Sequence, residues 1–156
     1  MYTLGVSCLN VNSLLKGSSE SCGFSDDRLC RFINNQNSIY CLTDTRIDCV
    51  RKETLNQILS KGHSFGNENT IERVFTTINK ESISHKHHFA GVTTIFPEKL
   101  DPAFEYIKWY PHKLPRPWYG IALAKLSYGP TVIIANVYGR TSGREDSKAS
   151  LFNKLN

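Results

Sequence analysis

No apolar run in the 156 residues approaches the ~20 that a membrane-spanning helix needs. Residues 1–15 carry no basic leader, and Ser7, Asn10, Asn12 and Ser13 break their apolar stretch, so no signal peptide is expected. The five cysteines (Cys8, Cys22, Cys30, Cys41 and Cys49) are odd in number and form no C-x-x-C pair, which argues against a disulfide framework and against a zinc knuckle. They read as reduced thiols of an intracellular protein, nuclear or cytoplasmic, with Cys8 and Cys41 filling core positions on strands. There is no internal repeat, no linker and no Gly-Lys-Ser/Thr of a phosphate-binding loop.

What is present is a globular composition, 40% hydrophobic and 21% charged, sufficient for one core. The 19 Lys and Arg outnumber the 14 Asp and Glu, for a formal net charge of +5. That balance favours a polyanionic partner, with nucleic acid the first choice.

Periodicity gives a coarse α/β order. Residues 3–11 read as a buried strand opening into Asn-Val-Asn-Ser, followed by a small, polar loop over 16–25. Ser25-Asp26-Asp27 precedes Leu29, Phe32 and Ile33 at helical spacing, and that helix should stop at Asn34-Asn35. A second strand, 38–42, ends at Thr43-Asp44-Thr45-Arg46. Leu55, Ile58 and Leu59 mark a short helix closed by Lys61-Gly62. Residues 71–78, 90–96 and 104–110 are predicted strands, the last two ended by Pro97 and Pro111. Residues 118–126 and 131–138 form a hairpin through Ser-Tyr-Gly-Pro, and Leu151, Phe152 and Leu155 mark a final helix.

Three polar tips follow predicted apolar strands: Asn10 and Asn12, Asp44 and Arg46, Tyr138 and Arg140. Ligands of open α/β sheets bind at the carboxyl ends of strands, where loops converge on a rigid frame. A carboxylate beside amide oxygens is a donor set for Mg²⁺, which binds oxygen at about 2.0–2.1 Å and keeps several waters. Tyr and Arg beside it suit a phosphate oxygen. Each tip also has a plain structural reading: a turn-forming Asn, a surface Asp–Arg pair, a rim Tyr. Their order along the chain is what favours a site.

The segments LNVNSL (9–14), IYCLTDTRI (39–47), AGVTTIF (90–96) and VIIANVYGR (132–140) resemble, in that order, the first half of the endonuclease/exonuclease/phosphatase superfamily. They are most similar to the endonuclease domains of non-LTR retrotransposons, which resemble apurinic endonucleases. The resemblance implies a partial two-sheet α/β sandwich with outer helices over 1–156, ending before the family's D-x-N and D-H motifs. It implies a fragment of a Mg²⁺-dependent (or Mn²⁺-dependent) DNA endonuclease, weakly active or inactive alone. The alternative is a non-catalytic nucleic-acid-binding or assembly module derived from that fold. By the same resemblance Asn10 would orient the scissile phosphate or lie near the metal, with Asn12 as the neighbour behind it, Tyr138 would hydrogen-bond the phosphate, Asp44 would take the place of the family's metal-binding Glu, and Arg46 would contact the nucleic-acid backbone. Arg140 and Arg144, in a basic Gly/Ser loop after the last strand, are expected to join Arg46 in binding nucleic acid. Half a sandwich is expected to leave an apolar sheet face open to a partner or to self-association.

His85, Lys86, His87 and His88 read as a solvated loop rather than a metal site, since adjacent loop residues rarely point at one ion. Trp109, Tyr110, Trp118 and Tyr119, around a Pro-rich connector, read as core and rim aromatics.

Overall fold

A computed structural model describes residues 4–15, 24–34, 38–61, 73–79, 91–113 and 118–139. The predicted loop at 81–88 with its histidines, the final helix at 147–156, Arg140 and Arg144 lie outside them, as does most of the loop at 16–25.

The described strands form two sheets. β1 (Val6–Asn10) pairs in parallel with β2 (Ile39–Thr43), which is antiparallel to β4 (Val92–Ile95), which is antiparallel to β3 (Val74–Thr76); the order is β1-β2-β4-β3. β5 (Phe104–Pro111), β6 (Tyr119–Leu126) and β7 (Thr131–Val137) make an antiparallel meander. The β6–β7 hairpin falls where Ser-Tyr-Gly-Pro placed it. A two-turn 3₁₀ segment, Glu98–Ala103, follows Pro97, where the sequence pattern marks no element.

Each face of the mixed sheet buries a different set of side chains, because neighbouring residues of a strand point to opposite sides. One face carries Leu42, Val74 and Ile95 against Leu29 of α1 (Asp26–Asn34) and Leu55, Ile58 and Leu59 of α2 (Cys49–Lys61). Helix α2 begins where the Asp48 carboxylate accepts the Arg51 N–H at 2.8 Å, an N-cap that the sequence reading did not place. Phe32 lies edge-on to Tyr40 at 4.9 Å, which seats α1 on β2. The opposite face carries Ile39, Cys41 and Phe96 against Ala122, Ala124 and Ile134 of the meander. Phe75 meets Phe96 edge-on and Trp109 nearly flat, both at 5.8 Å, and fills the space between the sheets. Gly120 permits this: a Cβ there would lie 2.0 Å from Trp109 Cη2.

The two sheets are also joined by a polar clamp. Asn136, 2% exposed, points from β7 into the mixed sheet. Its Nδ2 donates to Leu42 O at 3.2 Å, Thr93 O at 3.1 Å and Thr94 Oγ1 at 3.3 Å. The hydroxyls of β4 find partners as well, Thr93 Oγ1 meeting Thr76 Oγ1 at 2.7 Å. A central strand with two threonines thus stays buried on both faces without orphaned groups there.

The meander lies over β2, β4 and β3 and stops short of β1. The first strand is therefore an exposed edge, not the buried strand expected: Val6 is 51% exposed and Cys8, placed in the core by the sequence reading, is exposed, whereas its register partner Cys41 is buried. Among the described residues no strand pairs with the outer edge of β7. No described helix is long and apolar enough to cross a membrane.

Candidate functional site

The site is built where β1, β2 and β7 end together. β1 and β2 are parallel, so Asn10 stands beside Thr43 and the two following loops leave the sheet side by side. Main-chain bonds zip those loops: Val11 N to Thr43 O at 3.1 Å, Ser13 N to Asp44 O at 2.8 Å, and Leu14 N to Thr45 O at 2.9 Å. Thr45 N reaches Gly91 O at 3.1 Å. Gly91, at φ 115°, allows that approach, since a Cβ would lie 2.9 Å from Thr45 Oγ1.

The zipped loops are strained. Asn12 (φ 49°), Ser13 (100°), Asp44 (57°) and Arg46 (54°) all have positive φ, and none is glycine. Left-handed backbone costs an L-residue roughly 1–2 kcal/mol, so four such residues in two adjoining loops must be over-determined by their surroundings. Side chains supply the restraint. Arg46 Nε donates to Asp44 Oδ1 at 3.1 Å and Nη2 to Asp44 Oδ2 at 2.9 Å, a two-pronged ion pair. Nη2 also donates to Asn12 Oδ1, and Asn12 N–H donates to Asn10 Oδ1 at 3.1 Å. Ser13, fully buried, accepts from Arg51 Nη1 of α2 at 3.0 Å and donates to Leu15 O at 2.8 Å. The Asp44–Arg46 pair is no surface ornament: its side chains are only 6% and 15% exposed.

Tyr138 closes the site from β7. Burial first, and the Asp44 carboxylate second, push its phenol above the ordinary value, while Arg46 pulls the other way. It is held as a neutral O–H donor. Its ring stacks on Trp118 at 5.8 Å and 18°, and Tyr138 N donates to Trp118 O at 2.7 Å.

Of the residues singled out in the sequence, Asn10, Asn12, Asp44, Arg46 and Tyr138 are brought to one end of the sandwich. Two contributors were missed. Trp118 was read only as packing, although its place at the start of the strand paired with β7 puts it beside the third polar tip. Asn136 was passed over inside the VIIANVYGR segment, where a polar residue flanked by apolar ones at an inward position was the available signal.

The donor set was tested against the divalent ion that the resemblance implies. Both Asp44 oxygens, Asn12 Oδ1 and Asn10 Oδ1 each already accept a hydrogen bond, three of them from one guanidinium. No group of three or more His, Cys, Asp or Glu side chains gathers anywhere among the described residues. The residues present do not fit a Mg²⁺ or Mn²⁺ site in this arrangement.

Compared with known proteins, the chain matches no family model and no curated protein sequence.

Proposed function

We propose that the chain is the first half of an endonuclease/exonuclease/phosphatase-type sandwich, akin to the endonuclease domains of non-LTR retrotransposons, and that its strand-end cluster is a DNA-backbone site. One observation carries this reading: Asn12, Asp44, Arg46 and Tyr138, from three segments far apart in the chain, meet at one end of the sandwich on strained loops. Three of the four segments behind the resemblance (9–14, 39–47 and 132–140) run along and past the ends of β1, β2 and β7, and the fourth spans β4 and the Gly91 before it, whose carbonyl accepts from Thr45 N. On this reading the parent reaction is Mg²⁺-assisted phosphodiester hydrolysis. This chain binds the backbone and cuts it weakly or not at all, because both oxygens of Asp44 are committed to Arg46. Tyr138 offers a phenolic donor for a phosphate oxygen, and the positive balance of the chain adds long-range attraction.

The experiment is paired. Fluorescence anisotropy with duplex DNA should show binding that falls steeply with salt and weakens in Tyr138→Phe. Supercoiled or abasic DNA with Mg²⁺ should show no nicking above the Asp44→Asn background. Nicking that needs both Mg²⁺ and Asp44 makes the chain an active enzyme; no binding at low salt removes the DNA site.

A second reading, an assembly module, is favoured by the flank that the described residues leave uncovered: the inner face of β1, where Val6 is 51% exposed, beside the outer edge of β7, with which no described strand pairs. The stretch Thr131–Val137 holds no charge or proline to discourage strand addition. Sedimentation should then show self-association, and a monomer that binds no apolar dye counts against it.

A further inference from the structure

A carboxylate taken into a folded domain must be neutralised, and a metal ion and a guanidinium are alternative ways to do it. In this chain the convergence point of the strand-end oxygens is filled by an atom of the protein. Arg46 Nη2 lies between Asp44 Oδ2, at 2.9 Å, and Asn12 Oδ1, while Nε of the same side chain takes Asp44 Oδ1 at 3.1 Å. A single planar cation thereby ties the loop after β1 to the loop after β2.

We infer that the guanidinium of Arg46 is the resident cation of the strand-end pocket, so that the pocket keeps its charge balance and its shape without a divalent ion. Two features separate this from an ordinary turn pair between residues two apart. The pair is largely buried, Asp44 at 6% and Arg46 at 15% side-chain exposure, so the carboxylate is shielded from solvent by its partner. Arg46 and Asp44 also hold left-handed backbone, at φ 54° and 57°, with Asn12 at 49°. Arg46, unlike Asn or Asp, adopts that conformation only under restraint, and here its ion pair with Asp44 in the same loop and its bond to Asn12 in the other supply it. Arg46 is a positioning residue: it acts by fixing Asp44 and Asn12. The inference concerns metal and stability alone and stands whether or not the chain binds DNA.

The test uses the full chain and Mn²⁺ as the probe, read by the loss of the free-ion electron paramagnetic resonance signal, with thermal unfolding in EDTA and in Mg²⁺ alongside. Wild type should take up no Mn²⁺ through Asp44 at millimolar concentration, and Mg²⁺ should leave its unfolding temperature unchanged. Arg46→Ala should unfold at lower temperature in EDTA, regain part of the loss with Mg²⁺, and bind Mn²⁺ at least about tenfold more tightly than wild type. Adding Asp44→Asn to that variant should abolish the uptake. Arg46→Lys, which keeps a positive charge, should stay silent to Mn²⁺. Asp44-dependent uptake by wild type overturns the inference, as does a folded Arg46→Ala that ignores Mn²⁺. Should Arg46→Ala not fold in either medium, the same two criteria apply to wild type and to Arg46→Gln.

Discussion

Asn136→Ala removes the clamp between the sheets, and the structure sets the scale of the loss. Two amide hydrogens serve three acceptors, Leu42 O, Thr93 O and Thr94 Oγ1, at 3.1–3.3 Å, all in a site 2% exposed. Two amide hydrogens make at most two full hydrogen bonds, each contributing about 1 kcal/mol net, and the void left by the amide adds about 1 kcal/mol, for a total near 3 kcal/mol. With a urea slope of about 2 kcal/mol per molar, the unfolding midpoint should fall by about 1.5 M. Asn136→Asp should cost more at neutral pH, since it turns acceptors toward two carbonyls, and its deficit should shrink as acid protonates the new carboxyl and restores a donor. The assay is urea unfolding followed by far-ultraviolet circular dichroism. A midpoint change in Asn136→Ala under about 0.3 M at unchanged slope refutes the clamp.

Gly120→Ala drives a Cβ to 2.0 Å from the Trp109 ring and should cost about 1–3 kcal/mol with altered tryptophan fluorescence, partly relieved by adding Trp109→Phe. An aromatic disulfide reagent at mildly alkaline pH should modify exposed Cys8 and Cys49 at once and spare Cys41, whose thiol burial and then the neighbouring Cys8 push up to about 11. Because the fold favours the neutral Cys41 thiol, that contribution to stability is complete below the ordinary value of 9.0 and is lost as pH rises through about 11, which alkaline unfolding curves of Cys41→Ala against wild type should show. Tyr138→Phe should weaken DNA binding about fivefold, the worth of one hydrogen bond, and remove a phenol that titrates above its ordinary 10.0 in ultraviolet difference spectra.

Much of the framework was legible because it rests on local pattern. The Ser-Asp-Asp start and Asn end bracket α1, β-branched runs mark β2 and β4, and Ser-Tyr-Gly-Pro turns β6 into β7. The burial of β1 was not legible for a physical reason. Alternation shows which residues of a strand share a face, but whether a second sheet lies over that face depends on where the meander comes to rest, over β2, β4 and β3. The Asp44–Arg46 pair reads from the sequence as a surface turn pair, and its burial and its forked geometry were hidden for another reason. Residues two apart on a strand or in a turn do not ordinarily close a fork; here left-handed backbone at both positions folds the guanidinium back, and neither residue is a glycine that would have announced it. Residue type marked the polar tips as a group, while their partnership was decided by backbone conformation.

The clamp and the site are mechanically one object. Tyr138 follows Asn136 by two residues just past the end of β7, and Asp44 follows Leu42 by two residues just past the end of β2. The bond from Asn136 Nδ2 to Leu42 O therefore pins the two strands about one pleat, roughly 6.6 Å, behind the place where Tyr138 comes under the charge of Asp44. Sliding β7 by one residue would exchange Asn136 for an apolar neighbour and swing Tyr138 to the opposite face. The cost of leaving the Leu42 and Thr93 carbonyls without their donor is what forbids that slip. A buried polar residue with no part in binding thus sets the register on which the phenol, the carboxylate and the guanidinium can meet, and it does so from inside the core, where the loops' own strain cannot move it.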